Sequence, residues 1–325
     1  MQRPLSTFME QFQQSIKGRD TEEKLDLFFY RPLGFMIAKV AQKLSMTPTQ
    51  LTLIGLVSGI LAGPLYLDPQ NYPAVVVGTL LFIAAGIFDS SDGQLARLTS
   101  TSTKLGLVLD GICDNLVFCS IYICAAYPFA SEYGPKIYLL AVLAGVCHSW
   151  QSAILDFYHR EYLYFGHRKT EGDHYWNPTV EEVKRHYQEA ASFQEKLFYR
   201  LRFSWIWQQE KLSVRTPAER IDMKKRLLLS TTEESEHFSK MYRHYNKRML
   251  TLWRLMGTNF HTIAIIAFMF VGRFDLYLLS VDVIGLSMVL MMNRSIQRHL
   301  DQKLLAATAA ATAAATATSA HAKRF

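Results

Sequence analysis

Six runs of roughly 20 apolar residues decide what this chain can fold into. They fall at about 49–67, 73–88, 107–130, 137–157, 255–272 and 276–293. Each is long enough to cross bilayer hydrocarbon as a helix, where every backbone polar group must find its partner inside the segment. Half of the 325 residues are hydrophobic, and these runs hold most of them with few charges. The pattern predicts an all-α integral membrane bundle of about six transmembrane helices. The alternative, buried helices of a large soluble protein, rarely needs so many long uncharged runs.

Charge sets the expected orientation. With the N-terminus inside, the outer loops (about 68–72, 131–136 and 273–275) hold only Lys136 and Arg273 of the 35 Lys and Arg residues. The excess of basic residues then faces the cytoplasm, as do both termini. The opening "MQRPLSTFMEQFQQSIKGRD" has no apolar core of a signal peptide, so the spans themselves are expected to direct insertion. Cys113, Cys119, Cys124 and Cys147 lie inside proposed spans without metal-type spacing and read as packing residues.

The organisation follows in five blocks: an N-terminal interfacial segment (1–46), spans one to four (47–165), a helical cytoplasmic insert (166–248), spans five and six (249–303) and an Ala/Thr tail (304–325). In residues 20–46, Leu27, Phe28, Phe35, Met36, Ile37 and Val40 are expected on a lipid surface. Lys24, Arg31, Lys39 and Lys43 would face headgroups, with a break near Pro32–Gly34. Thr47 and Pro48 suit a helix start, and Gly55, Gly59 and Gly63 make a flat face for a second helix, in this chain or in a homodimer. Tyr158, Tyr162 and Tyr164 read as an interfacial aromatic belt. The insert's basic excess suits an anionic membrane surface; it carries no nucleic-acid recognition motif. The tail is low-complexity and is read as disordered or as a frayed helical extension.

Between the second and third runs stands "FDSSDGQLARLTSTSTKLGLVLDGICDN", residues 88–115, with aspartates at 89, 92, 110 and 114. On helices, positions three or four apart share a face, so Asp89 and Asp92 form one pair and Asp110 and Asp114 another. The polar turn "LTSTSTK" lets the two helices pack antiparallel and brings the pairs together. Four such carboxylates need cations to stay ionised, and an all-oxygen set selects hard divalent ions. Two ions about 4 Å apart would clamp a transferring phosphoryl group. Gly93, Ala96 and Gly106 leave room beside the carboxylates, and Arg97 could face a diphosphate or an aspartate. Helix capping explains Asp89 at most; Asp110 and Asp114 fall inside an apolar helix, where an acidic residue is a functional signal.

The spacing Asp89-x2-Asp92-Gly93-x2-Ala96-Arg97-x8-Gly106-x3-Asp110-x3-Asp114 resembles the signature of the CDP-alcohol phosphotransferase family, with every fixed position filled. The similarity extends over roughly 45–165 and 250–300, including the "TPTQLT" entry to the first span; Thr49 stands where relatives carry Asn, and the insert departs from compact members. The resemblance implies transfer of a phosphoryl-alcohol from a CDP-linked alcohol to an acceptor hydroxyl, with release of CMP, in phospholipid synthesis. It further implies two ions, Mg²⁺ or Mn²⁺, on Asp89, Asp92, Asp110 and Asp114, with Asp114 also the general base. Gly93, Ala96, Arg97, Gly106, Thr52 and Pro48 would border the CDP moiety. Asn259 and His261, polar groups at the start of the fifth span, are candidates for the acceptor side. Both lipid and small polar alcohols fit as acceptor.

Three other readings are weaker. An intramembrane prenyltransferase also uses aspartates and Mg²⁺, but without the DG-x2-AR core. A divalent-cation transporter would carry its carboxylates at mid-membrane. A catalytically dead scaffold would lack an aspartate, and all four are present.

Overall fold

A computed structural model describes residues 8–16, 21–171 and 175–322, and helices are the only regular elements among them. Helix α1 (Phe8–Ser15) is followed by a π-helical turn (Asp26–Tyr30) that runs directly into α2 (Arg31–Lys43). The expected break at Pro32–Gly34 does not occur. Pro32 follows directly on the π turn, where the Arg31 N–H reaches back five residues to the Asp26 carbonyl, and that wider register carries the helix past a residue with no N–H.

Local chemistry sets the span boundaries. Helix α3 (Pro48–Ala62) opens on a capping box: Thr47 Oγ1 accepts the Gln50 N–H at 3.3 Å and Gln50 Oε1 accepts the Thr47 N–H at 2.8 Å. The Asn71 side chain caps α4 (Tyr72–Thr99), which ends at Ser100 in the left-handed region, φ 55°. Thr103 caps α5 (Lys104–Ala126), and α6 (Lys136–Glu161) follows. Then come α7 (Val180–Glu189), α8 (Phe193–Leu212), α9 (Pro217–Leu229), α10 (Thr232–Trp253), α11 (Thr258–Val271) and α12 (Ser287–Ala322). A π-helical stretch, Tyr277–Leu286, precedes α12. The Ala-rich tail continues α12 to Ala322, as its high helix propensity favours; residues 323–325 lie outside the described residues.

Among the described residues, six helical stretches are long and apolar enough to cross a membrane: Pro48–Tyr66, Tyr72–Thr99, Val108–Tyr133, Lys136–Gly166, Thr232–Val271 and Phe274–Thr308. They coincide with the six apolar runs, and the chain is an integral membrane protein. Its contacts divide into two compact units: Met1–Ser149 with Ala190–Arg202 and Thr258–Gly285, and Trp150–Glu189 with Phe203–Gly257 and Leu286–Phe325. These units interleave along the sequence and cut across the five linear blocks.

In the first unit, α3 packs on α4 and α5 through its glycines. Any side chain at Gly59 would overlap Val117, and one at Gly63 would overlap Ser120. The glycine face is thus consumed inside the chain and offers nothing to a second copy. Phe28, Met36 and Val40 are exposed, as an interfacial helix requires, but Phe35 is only 1% exposed and meets the rings of Phe8 and Phe12 at 4.9 and 5.3 Å. Arg31 also turns inward, onto Glu22 at 3.0 Å. Helix α2 therefore has a lipid-type face and a second apolar face buried in the fold.

The second unit is built around inward-facing polar groups. Tyr158, Tyr162 and Tyr164 are buried, so they form no interfacial belt: Tyr158 stacks on Trp253 at 4.5 Å, while Tyr162 and Tyr164 join a core with Trp176 and Tyr242. Arg215 pairs with Glu161 and, at 2.5 Å, with Asp301; Arg220 reaches Glu161 at 2.6 Å. Burial opposes the Arg215 charge, yet Asp301, Tyr242 and Glu161 hold its pKa above the ordinary guanidinium value. Part of the insert's basic character thus serves this unit's interior and never meets a membrane surface.

Candidate active site

Helix α4 continues without interruption through the motif and presents two functional faces. At 100° per residue, Asp89, Asp92, Gly93 and Ala96 share one side, and Ser90, Gln94 and Arg97 share another. The second side is bolted to the N-terminal segment. Gln94 Nε2 donates to Ser15 Oγ at 3.0 Å and to the Arg31 carbonyl at 3.1 Å, Arg31 Nη1 donates to Ser90 Oγ at 3.2 Å, and Arg97 Nε donates to the Ser15 carbonyl at 2.5 Å. Ser90 and Gln94 escaped the sequence reading, although both are polar residues inside the motif. Arg97 curls back over Gly93, where a Cβ would stand 3.4 Å from its Nη1.

The turn after Ser100 returns the chain so that α5 brings its aspartates back to α4. Thr103 Oγ1 accepts the Gly106 N–H at 2.9 Å, and a Cβ at Gly106 would crowd that same oxygen. Asp89, Asp92 and Asp110 then offer carboxylate oxygens within 4.8 Å of one another. Asp92 is 6% exposed and Asp89 is open to solvent. Asp114 is outside this trio because it lies one further turn along α5, about 6 Å of helix rise; its charge interacts with those of Asp89, Asp92 and Asp110.

Thr52, on the second turn of α3, donates its hydroxyl to Asp92 Oδ2 and also meets the Pro48 carbonyl at 3.2 Å. Pro48 and the capping box thus fix the helix start that aims Thr52 at a carboxylate. Tyr30 borders the same region: burial, then the charges of Asp26 and Asp89, push its pKa up to about 12. Asp26 is itself raised, by burial first, against the lowering effect of Asn259. Asn259 Nδ2 donates to Glu23 Oε2 and Asp26 Oδ1, both at 3.0 Å. His261, 0% exposed, stacks on His148 with ring centroids 3.6 Å apart.

The trio fits a hard divalent ion. Its donors are all carboxylate oxygens, and octahedral Mg²⁺ with bonds near 2.1 Å separates opposite ligands by roughly 4 Å. Such a cluster in a membrane protein also requires compensating positive charge.

Residues 45–175 match the family model described as CDP-alcohol phosphatidyltransferase. Over 85 residues the chain is 41% identical to the phosphatidylinositol phosphate synthase of Corynebacterium glutamicum, covering 25% of this chain and 35% of that protein. Over 86 residues it is 38% identical to the archaetidylinositol phosphate synthase of Pyrococcus horikoshii, covering 26% and 43%. The match spans less than half the length of either relative. Residues 45–175, which hold the whole aspartate motif, are thus similar to this family's domain, and the family generally uses divalent metals.

Proposed function

We propose that this protein transfers the phosphoryl-alcohol group of a CDP-linked alcohol to an acceptor hydroxyl, releasing CMP, in phospholipid synthesis. The observation that carries this reading is the convergence of Asp89 and Asp92 from α4 with Asp110 from α5, with Asp114 one turn away. The acceptor oxygen forms a bond to the β-phosphorus while the diphosphate bond to CMP breaks and its electron pair leaves on CMP. Asp114 takes the acceptor's proton. Asp89, Asp92, Asp110 and Asp114 would hold two divalent ions, Mg²⁺ or Mn²⁺, which would supply neutralisation of the diphosphate charge. Thr52 orients Asp92, and the small Gly93 and Ala96 leave the CDP moiety room against α4. Arg97, anchored at Ser15, ties the motif helix to α1.

The scarcity of Lys and Arg in the outer loops supports a cytoplasmic active site and cytoplasmic termini. A homodimer would have to use a face other than the glycine stripe of α3. The test is incubation of purified protein with CDP-diacylglycerol, CDP-choline and CDP-ethanolamine separately, with Mg²⁺ or Mn²⁺ and candidate acceptors. CMP release from one donor is expected; none from any of them would overturn the reading.

A further inference from the structure

The π-helical turn Asp26–Tyr30 brings to the aspartate site a side chain that sequence reading passed over. Its residues divide by environment: Phe28 is 83% and Phe29 37% exposed, while Tyr30 is only 8% exposed. Tyr30 turns inward onto α4 and rests on Gly86, where a Cβ would stand 2.9 Å from its Cε1 and 3.4 Å from its Cζ. Contact through Cε1 and Cζ puts the hydroxyl end of the ring on the motif helix. Arg31 follows with its hydrogen bond to Ser90 Oγ at 3.2 Å, and a Cβ at Gly34 would stand 2.6 Å from Gln94 Oε1. Three successive contacts thus fix the register of this segment on α4.

Gly86, Asp89, Gly93 and Ala96 follow one another along one stripe of α4. At 1.5 Å per residue, Asp89 lies about 4.5 Å beyond Gly86, and Ala96 about 10 Å beyond Asp89. Helical side chains lean toward the N-terminus, so Asp89 leans toward Gly86. The Tyr30 hydroxyl therefore flanks Asp89 on the side away from Gly93 and Ala96. Asp89 is open to solvent, and the hydroxyl borders that open site. Burial and the charges of Asp26 and Asp89 hold its proton on, and no hydrogen bond among the described residues engages it. Asp26 Oδ1 already accepts from Asn259. A neutral phenol with its donor unspent is free to serve an oxygen that arrives with a substrate.

We propose that Tyr30 is a further binding residue of the transfer reaction, whose hydroxyl donates to a β-phosphoryl oxygen of the CDP-linked substrate. This inference rests on the phosphotransferase reading, with the CMP moiety against Gly93 and Ala96. With the nucleotide at that end of the stripe and the diphosphate over the aspartates, the β-phosphoryl group is the part that reaches the Gly86 end. Phosphoryl oxygens accept hydrogen bonds, and a phenol that keeps its proton donates one. Tyr30 thus distinguishes the CDP-linked substrate from the product CMP, which has no β-phosphorus.

The experiment uses the full chain in lipid–detergent micelles with Mg²⁺, titrated by calorimetry with CDP and with CMP. Tyr30→Phe keeps the ring on Gly86 and removes only the hydroxyl. Loss of a hydrogen bond to a charged oxygen should raise the Kd for CDP about 10–100-fold. The Kd for CMP, and the Mg²⁺ midpoint titrated without nucleotide, should stay within about two-fold. Gly86→Ala, whose methyl pushes the same ring aside, should weaken CDP in the same sense and spare CMP. An unchanged Kd for CDP in Tyr30→Phe, an equal loss for CDP and CMP, or a raised Mg²⁺ midpoint would overturn the inference. The transfer reading would survive any of these if the wild type releases CMP from a CDP-linked alcohol. A wild type that binds neither nucleotide and releases no CMP would remove both.

Discussion

Thr52→Val deletes one hydroxyl and little else. The Thr52 hydrogen bond to Asp92 Oδ2 is made to a carboxylate that is almost wholly buried. Hydrogen bonds to charged groups contribute about 1.5–3 kcal/mol. Removing a partner that orients a metal ligand typically costs 10–100-fold in metal affinity, which at about 1.4 kcal/mol per factor of ten is the same range. The expected result is therefore a 10–100-fold higher Mg²⁺ midpoint, in both the metal dependence of CMP release and direct titration by calorimetry. Saturating Mg²⁺ should restore most of the rate, and Thr52→Ser should behave as wild type. A Thr52→Val protein with an unchanged midpoint in both assays would show that Asp92 needs no support from α3.

Three further outcomes test the architecture. Asp26→Asn keeps an acceptor for Asn259 and removes a carboxyl whose pKa burial raises above 3.8. A raised carboxyl favours folding at low pH and loses that contribution as pH rises through its folded pKa, so the variant should melt higher at neutral pH, with the gain vanishing near pH 4. Arg215→Ala leaves Glu161 and Asp301 buried and without that cation, and should cost about 3–5 kcal/mol in denaturant unfolding; a loss below 1 kcal/mol would contradict the network's role. Gly59→Leu forces a side chain into Val117 and should destabilise by about 1–3 kcal/mol, measured as a lower Tm in micelles.

The six spans and the aspartate pairs were legible in the sequence because both depend on local spacing. An apolar run of span length has few alternatives in lipid, and Asp89/Asp92 and Asp110/Asp114 share faces whatever else the chain does. Phe35 and Met36 shows where legibility stops. Adjacent apolar residues on an amphipathic helix look alike, yet one is buried under α1 and the other is exposed. Tyr158, Tyr162 and Tyr164 carried an interfacial signature, but the chain's own aromatic and basic residues cover them. The Tyr122–Asp282 contact joins positions 160 residues apart. Asp282 inside "YLLSVDVIGL" was the one sign of it, an acid in a span with no partner nearby in sequence. Asp114 was expected with the other three, and the rise of one helical turn removes it from their tight cluster. That separation suits a ligand that reaches toward the acceptor hydroxyl while the other three close around the metal site.

Asp114→Asn tests the central claim most directly, by comparing CMP release with metal and CDP binding in the same purified protein. The account requires wild-type affinity for CDP in Mg²⁺ within a few-fold, and transfer slower by about 10²–10⁴, the worth of a positioned base. Turnover at the wild-type rate would contradict it.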